Sequence, residues 1–146
     1  MGNKKIAFGY SRVSTQDQKE NGVSLLDQRI KIEGWCETKG YELIKIYEES
    51  KSGSTIEKRP IFLKAIETAI KSLSDPDVNE VAFIVTKLDR FARSTKDAIT
   101  IAEKLINKGI VFTSLAERID MSDPMGEMFF TMISGYATLE RKLISQ

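Results

Sequence analysis

Four stretches of the chain have the hydrophobic pattern of β-strands. Residues 5–13 alternate β-branched and aromatic side chains with small or polar ones, and residues 41–48 carry a similar pattern. Residues 81–86 are almost entirely apolar, which is typical of a parallel strand covered on both faces. A last short pattern covers residues 110–115. These stretches predict four strands.

Between the predicted strands, apolar residues recur at the spacing of amphipathic helices. The predicted helices cover residues 24–39, which end before Gly40, residues 60–73, which begin at a proline, and residues 95–108, which end before Gly109. Strands that alternate with helices are typical of α/β proteins. The sequence therefore predicts an α/β fold with a mostly parallel central sheet flanked by helices.

From Pro124 onward the apolar residues keep helical spacing to the end of the chain. Their stripe is wider than contact with one sheet requires, which leaves two interpretations open: a helix buried in the core, or one that also pairs with another subunit. Because the pattern is uncapped at Gln146, we expect a truncated protein. We divide it into a core, residues 1–124, and the start of a long interface helix, residues 125–146. The stripe comprises Met125, Met128, Phe129, Met132, Ile133, Tyr136, Leu139, Leu143 and Ile144, with Met121 and Phe130 beside it.

The composition is typical of one globular domain and excludes several kinds of catalytic site. The chain has 146 residues, of which 41% are hydrophobic and 29% charged, and it contains no histidine. The absence of histidine excludes Ser-His and Cys-His catalysis, and no Cys/His cluster offers a zinc site. No apolar run reaches the roughly 18 residues of a membrane span, and the polar start is unlike a secretory signal. We therefore expect a cytoplasmic protein with no membrane partner.

A serine at the end of the first predicted strand is the first candidate for chemistry. Ser14 lies where ligand sites gather in open α/β sheets, although a turn or capping serine would fit the same position. Arg12, two residues earlier, shares its side of the strand. This neighbouring permanent charge favours a catalytic role for Ser14.

A basic segment follows the buried third strand and is the second candidate. Arg90 and Arg93 are three residues apart, so on a helical turn they point the same way. Asp89 is either an orienting partner of one arginine or a proton donor or acceptor, and Lys87 precedes them. A solvated turn would fit the same residues. Its position at the end of a central strand, however, allows this segment to meet Ser14.

Five of the seven arginines fall in the candidate places. The net charge of +1 is too small to indicate nucleic-acid binding, so any positive charge used on DNA must be local. Arginine offers rigid bidentate donors suited to phosphate, and clustered guanidinium groups can activate a serine without histidine or zinc. The sequence therefore favours phosphoryl transfer. The five are Arg12, Arg59, Arg90, Arg93 and Arg141, the last beside Glu140.

In their order and separation, these residues resemble the motifs of the serine recombinases, the family of resolvases, invertases, phage integrases and transposases. The resemblance spans nearly the whole chain. Each motif is weak alone, but all of them occur in the family's order. They are Tyr10, Arg12, Ser14 and Thr15 of the nucleophile motif; Gln18 and Gln28, two active-site glutamines; Ser52-Gly53 and Arg59-Pro60 of the mobile loop; Lys87 to Arg93 of the central signature; and Asp120, Met125-Gly126 and Glu140-Arg141 of the long helix and its approach.

The resemblance implies a resolvase-like catalytic domain and a covalent mechanism. Ser14 attacks the scissile DNA phosphate, forms a 5′-phosphoserine link and releases a 3′-hydroxyl. That link conserves the energy needed for rejoining, so no metal and no other cofactor is expected. The implied partners are DNA and a homodimer or homotetramer built by the long helix. The implied catalytic residues are Tyr10, Arg12, Ser14, Gln18, Gln28, Arg59, Asp89, Arg90 and Arg93, with DNA or interface contacts at Lys87, Glu140 and Arg141.

Two departures and two alternatives accompany the resemblance. Residues 19–23 lengthen the loop after the nucleophile and, with residues 57–60, resemble the large integrase and transposase branch. No DNA-recognition module is visible, so we expect site recognition to reside elsewhere. A non-catalytic DNA-binding or assembly module on the same fold would be expected to lose Ser14 or the arginines. A Rossmann-like nucleotide enzyme would carry glycines at residues 14–17, which have none.

Overall fold

A computed structural model describes residues 2–14, 24–51, 60–88 and 95–144. All four predicted strands and all four predicted helices are present, together with one short strand that was not predicted. In chain order the elements are β1 (Lys4–Ser14), α1 (Ser24–Lys39), β2 (Glu42–Lys51), α2 (Pro60–Ser72), β3 (Val78–Val85), α3 (Thr95–Asn107), β4 (Val111–Ser114), β5 (Ile119–Asp120) and α4 (Pro124–Ile144).

The five strands form one sheet in the order β2-β1-β3-β4-β5. The first four run parallel and β5 is antiparallel, which confirms the prediction of a mostly parallel sheet. β1 is an interior strand and pairs on both edges, with β2 and with β3. Its C-terminal end therefore lies at the edge of the sheet where ligand sites gather.

Helices cover both faces of this sheet. Phe62, Ala65 and Ala69 of α2 and the apolar side of α3 pack on one face, against Phe8, Phe83 and other strand residues. Ile32 and Cys36 of α1 pack on the opposite face in a smaller cluster. Alternate residues of β1 divide between the two faces, as strand geometry requires: Ile6, Phe8 and Tyr10 belong to the larger cluster and Ala7 to the smaller one.

Strand bounds differ from the predictions by up to three residues, and one strand was missed. β2 continues to Lys51, three residues past its predicted end. β3 begins at Val78, three residues before the predicted start, because Val78 pairs with Lys4 and Glu80 with Lys5 at an exposed end of the sheet. β5 was missed because two residues are too few to show a period. Backbone pairing holds it: Thr113 lies opposite Asp120, and Ser114 lies opposite Ile119.

α4 is not a buried core helix, so that interpretation of its apolar stripe is wrong. Phe130, which lies off the stripe, is only 8% exposed and joins the larger core cluster, with Ile133 packed against it. Met128, Met132 and Tyr136 on the stripe are each more than half exposed. Within the described ranges, no helix combines the length and hydropathy that crossing a membrane requires.

Gly126 brings the first turn of α4 into contact with the backbone of β5. A Cβ atom there would lie 2.1 Å from the carbonyl oxygen of Asp120, whereas a Cβ on Gly135 of the same helix would meet nothing within 4 Å. The glycine in the Met125-Gly126 motif is therefore required for close backbone approach.

We expect Gly126→Ala to lower the free energy of unfolding by about 2 kcal/mol, since the helix must shift away from β5. Gly135→Ala is the matched control and should raise that free energy by about 0.5–1 kcal/mol through its better helix propensity. Urea unfolding of both variants, followed by circular dichroism, measures the difference. Equal effects of the two substitutions would show that the approach to β5 is not tight.

Candidate active site at the C-terminal edge of the sheet

Ser14 is the last residue of the central strand. Its backbone pairs with Lys51 at the end of β2, four residues beyond the last pairing with β3, which joins Tyr10 to Val85. The end of β1 thus projects past β3 on one side and stays tied to β2 on the other. The backbone of Ser14 is described, and its side chain lies outside the described part of the structure.

Arg12 lies two residues before Ser14 and is only 7% exposed. The alternation of β1 puts its side chain on the same side of the strand as Tyr10, at a spacing of about 6.6–6.8 Å along the strand. Across the β1–β2 ladder its Cα partner is Glu49. The strand therefore carries a largely buried guanidinium two residues before the predicted nucleophile.

Tyr10 is fully buried, and its hydroxyl donates a hydrogen bond of 2.6 Å to Glu49 Oε1. Its ring packs against Phe62 of α2 edge to face, with centroids 5.1 Å apart and planes at 68°. The Tyr10 hydroxyl therefore helps to hold the Glu49 carboxylate in place.

Glu49 is a residue that the sequence analysis missed. Besides the Tyr10 hydroxyl, its carboxylate accepts the backbone N–H groups of Ile61 and Phe62, each at 3.3 Å, in the first turn of α2. It is 7% exposed, and a carboxylate suits the N-terminus of a helix. One buried side chain therefore joins the ends of β1 and β2 to the start of α2. The available signal was Tyr47 two residues earlier, which sets the same inward register, but the predicted strand ended at residue 48.

We expect Glu49→Gln to lower the free energy of unfolding by about 1–3 kcal/mol, because its amide would set a donor against a buried backbone N–H. Glu48→Gln is the matched control. Glu48 is the preceding residue and pairs with Arg29 on the solvent-exposed side of α1, so its loss should cost below about 1 kcal/mol. Urea unfolding compares them, and a control as damaging as Glu49→Gln would refute the buried role.

Gln28 approaches the same edge from the opposite face of the sheet. It is buried in α1, and its Oε1 accepts the Thr86 hydroxyl at 3.3 Å, just after the end of β3. Its Nε2 has no hydrogen-bond partner among the described residues. A cavity of about 290 Å³ opens there, lined by Asp27, Gln28, Lys31, Thr86, Lys87, Leu115 and Ala116. The structure thus brings Gln28 and Lys87 together, across the sheet from Arg12.

The other predicted site residues divide into two groups. Gln18, Arg59, Asp89, Arg90 and Arg93 lie outside the described residues. Glu140 and Arg141 are exposed near the end of α4, where Arg141 Nη2 donates to Thr138 Oγ1 of the same helix at 3.1 Å. In the described part of the chain, neither makes a hydrogen bond or ion pair with the strand-end residues. Also within that part, no three His, Cys, Asp or Glu side chains are grouped to hold a metal ion.

The fold and this edge define an α/β protein with a serine and a buried arginine at the end of its central strand. Residues 7–146 match the family described as "Resolvase, N terminal domain". The chain belongs to this family, which confirms the resemblance drawn from its motifs.

Relatives and solved structures agree with this assignment. The chain is 36% identical over 139 residues to the serine recombinase gin of Escherichia phage Mu, and 37% identical over 139 residues to a DNA-invertase of Escherichia phage P1. These matches cover 95% of this chain but only 62% and 64% of the relatives, so the chain spans less than two thirds of their length.

Two crystal structures have the same fold at 29% sequence identity. The N-terminal catalytic domain of TP901-1 integrase superposes with a TM-score of 0.69, covering 95% of this chain and 98% of that domain. A resolvase family site-specific recombinase from Streptococcus pneumoniae gives 0.73, covering 97% of this chain and 91% of that one. The predicted resolvase-like fold is confirmed.

Proposed function

We propose that this chain is the catalytic domain of a serine recombinase, which breaks and rejoins DNA at specific sites with Ser14 as the nucleophile. The observation that carries the proposal is the placement of Arg12. It is a largely buried guanidinium on β1, two residues before Ser14. Its planar, permanently charged set of N–H donors suits the phosphate of a DNA substrate.

In the proposed reaction, Ser14 Oγ bonds to the scissile phosphorus and the 3′ oxygen leaves as a hydroxyl. The DNA 5′ end is then held as a phosphoserine, and attack by a 3′-hydroxyl reverses the step and releases Ser14. Arg12, with Arg59, Arg90 and Arg93, stabilises the charge that grows on the phosphate oxygens. Asp89 orients an arginine or moves a proton. The bond energy is conserved throughout, so no cofactor is required.

The proposed partners are DNA and further copies of this chain. We divide the protein into the catalytic core, residues 1–124, and the interface helix, residues 125–146. The apolar stripe of α4 supports this division, since Tyr136 is 65% exposed and Met132 63% exposed. Exposed apolar stripes of this kind mark protein interfaces. Lys87, Glu140 and Arg141 are assigned to DNA or interface contacts, and the cytoplasm is the compartment in which such an enzyme meets DNA.

The test uses the complete gene product and double-stranded DNA from the ends of the genetic element that carries the gene, with EDTA throughout. We expect a covalent protein–DNA adduct on a denaturing gel, since the nucleophile is a side chain and no metal takes part. Cleavage that requires added divalent metal would contradict the proposal. So would the absence of any adduct when gel shift shows that the protein binds the DNA, an outcome that would favour a non-catalytic assembly module.

A further inference from the structure

Glu117 binds the backbone of Leu88, three residues after the end of β3. Its carboxylate accepts the backbone N–H of Leu88 through both oxygens, at 3.2 Å and 3.3 Å. The buried Ser114 hydroxyl donates a third, short hydrogen bond to Oε1 and so fixes the carboxylate from the other side. Leu88 directly precedes the segment that carries Asp89, Arg90 and Arg93.

The turn after β4 presents Glu117 at this place. Leu115 N–H donates to the Val85 carbonyl at 3.0 Å, and Ala116 N–H donates to the Thr86 carbonyl at 2.8 Å. The turn then closes through Arg118, a non-glycine residue in the left-handed region with φ of 59°. A side chain held in that region commonly marks a backbone set by its surroundings for a functional reason. Successive residues of the turn are thus hydrogen-bonded to successive residues at the end of β3: Leu115 to Val85, Ala116 to Thr86 and Glu117 to Leu88.

We propose that Glu117 is a positioning residue for catalysis: it fixes Leu88, the residue that directly precedes the segment with the proposed catalytic residues Asp89, Arg90 and Arg93. The inference rests on the proposed function for its last step, whereas the hold on Leu88 rests on the hydrogen bonds alone. The Leu88 side chain is anchored in the core, with 4% of its surface exposed. The backbone N–H and the side chain of Leu88 are therefore both fixed, directly before the segment that carries Arg90 and Arg93.

A carboxylate suits this position because both groups that face it, the Leu88 N–H and the Ser114 hydroxyl, are donors. Glutamine would keep one acceptor oxygen and turn an amide N–H₂ toward the Leu88 N–H or the Ser114 hydroxyl. Aspartate is one methylene shorter and would not span the gap. The Leu88 amide thereby becomes a reporter of Glu117.

The first arm of the test needs no DNA. In ¹⁵N-labelled protein we expect hydrogen exchange of the Leu88 amide to be slow. In Glu117→Gln that exchange should be at least about tenfold faster, the factor expected for loss of one charge-assisted bond. Glu67→Gln, an exposed position on α2, should leave the exchange rate unchanged. An unaltered Leu88 amide in Glu117→Gln would overturn the hold on Leu88.

The second arm measures covalent adduct formation by the complete protein at saturating DNA. We expect Glu117→Gln to slow it by roughly 10- to 100-fold, as misplacement of a catalytic group does, with DNA affinity near that of Glu67→Gln and the protein still folded at the assay temperature. A loss that only tracks melting temperature or DNA affinity would overturn the positioning role.

The two arms separate two kinds of failure. If the wild-type protein forms no adduct but Glu117→Gln releases the Leu88 amide, the proposed function fails while the hold on Leu88 stands. If the wild-type protein forms the adduct and Glu117→Gln forms it at the same rate, the proposed function stands and the positioning role is wrong.

Discussion

Replacing Ser14 by alanine is expected to abolish DNA cleavage while leaving the fold intact. The substitution removes the oxygen that forms the phosphoserine bond, and the backbone of residue 14 keeps its pairing with Lys51. Loss of a catalytic nucleophile lowers rates by more than about 10⁴-fold. Quantitative gel assays of strand cleavage, with melting curves for both proteins, measure the two effects.

Ser11 supplies the matched control for this substitution. It lies three residues earlier in the same strand, on the opposite side from Arg12, and its buried hydroxyl has no hydrogen-bond partner among the described residues. Ser11→Ala should therefore cleave DNA at a rate close to wild type. Retained cleavage by Ser14→Ala would refute the assignment of the nucleophile.

Arg12→Lys is expected to slow adduct formation by about 100- to 1000-fold, the cost of removing a preorganised donor to a developing anion. Lysine keeps the positive charge but loses the planar fork that can bond two phosphate oxygens at once. DNA affinity should change little, because the charge is retained. Adduct formation at saturating DNA, measured beside the dissociation constant, separates the two quantities.

Arg29→Lys is the control for this prediction. Arg29 is exposed on α1 and pairs with Glu48 at 2.6 Å, away from the strand end. Its replacement should leave the rate and the affinity unchanged. A normal rate for Arg12→Lys would show that charge alone suffices at this position, and an equal loss in rate and affinity would assign Arg12 to DNA binding.

The elements with a regular period could be predicted from the sequence. β1 and α1 each bury one set of regularly spaced side chains, so their local pattern reports their contacts directly. α1 was predicted with both bounds as observed. β5 could not be found in the same way, because it is two residues long and is held by its partner strand. The buried contact of α4 could not be predicted either: Met128, Met132 and Tyr136 of the regular stripe are exposed, whereas Ile133 of the stripe and Phe130 beside it pack into the core.

The residues of the candidate site also differ in whether a local pattern or a contact between distant residues reveals them. Ser14 and Arg12 could be proposed together from the sequence because residues two apart on a strand point to the same side. Glu49 and Glu117 were missed because their roles come from distant partners: Tyr10 is 39 residues from Glu49, and Leu88 is 29 residues from Glu117. An acidic residue in a sequence looks like any solvated charge until its donors are known. The residues that hold the site in place, Glu49 and Glu117, can therefore be identified only once the long-range contacts are known.

The central claim is tested most directly by identifying the residue that carries the DNA. The complete protein is incubated with its DNA in EDTA, the adduct is digested with nuclease and trypsin, and the peptides are sequenced by mass spectrometry. Trypsin cleaves after Arg12 and Lys19, so the peptide of residues 13–19 contains two hydroxyl groups, those of Ser14 and Thr15. We predict a nucleotide attached to Ser14. A nucleotide on Thr15, or on any other peptide, would contradict the account.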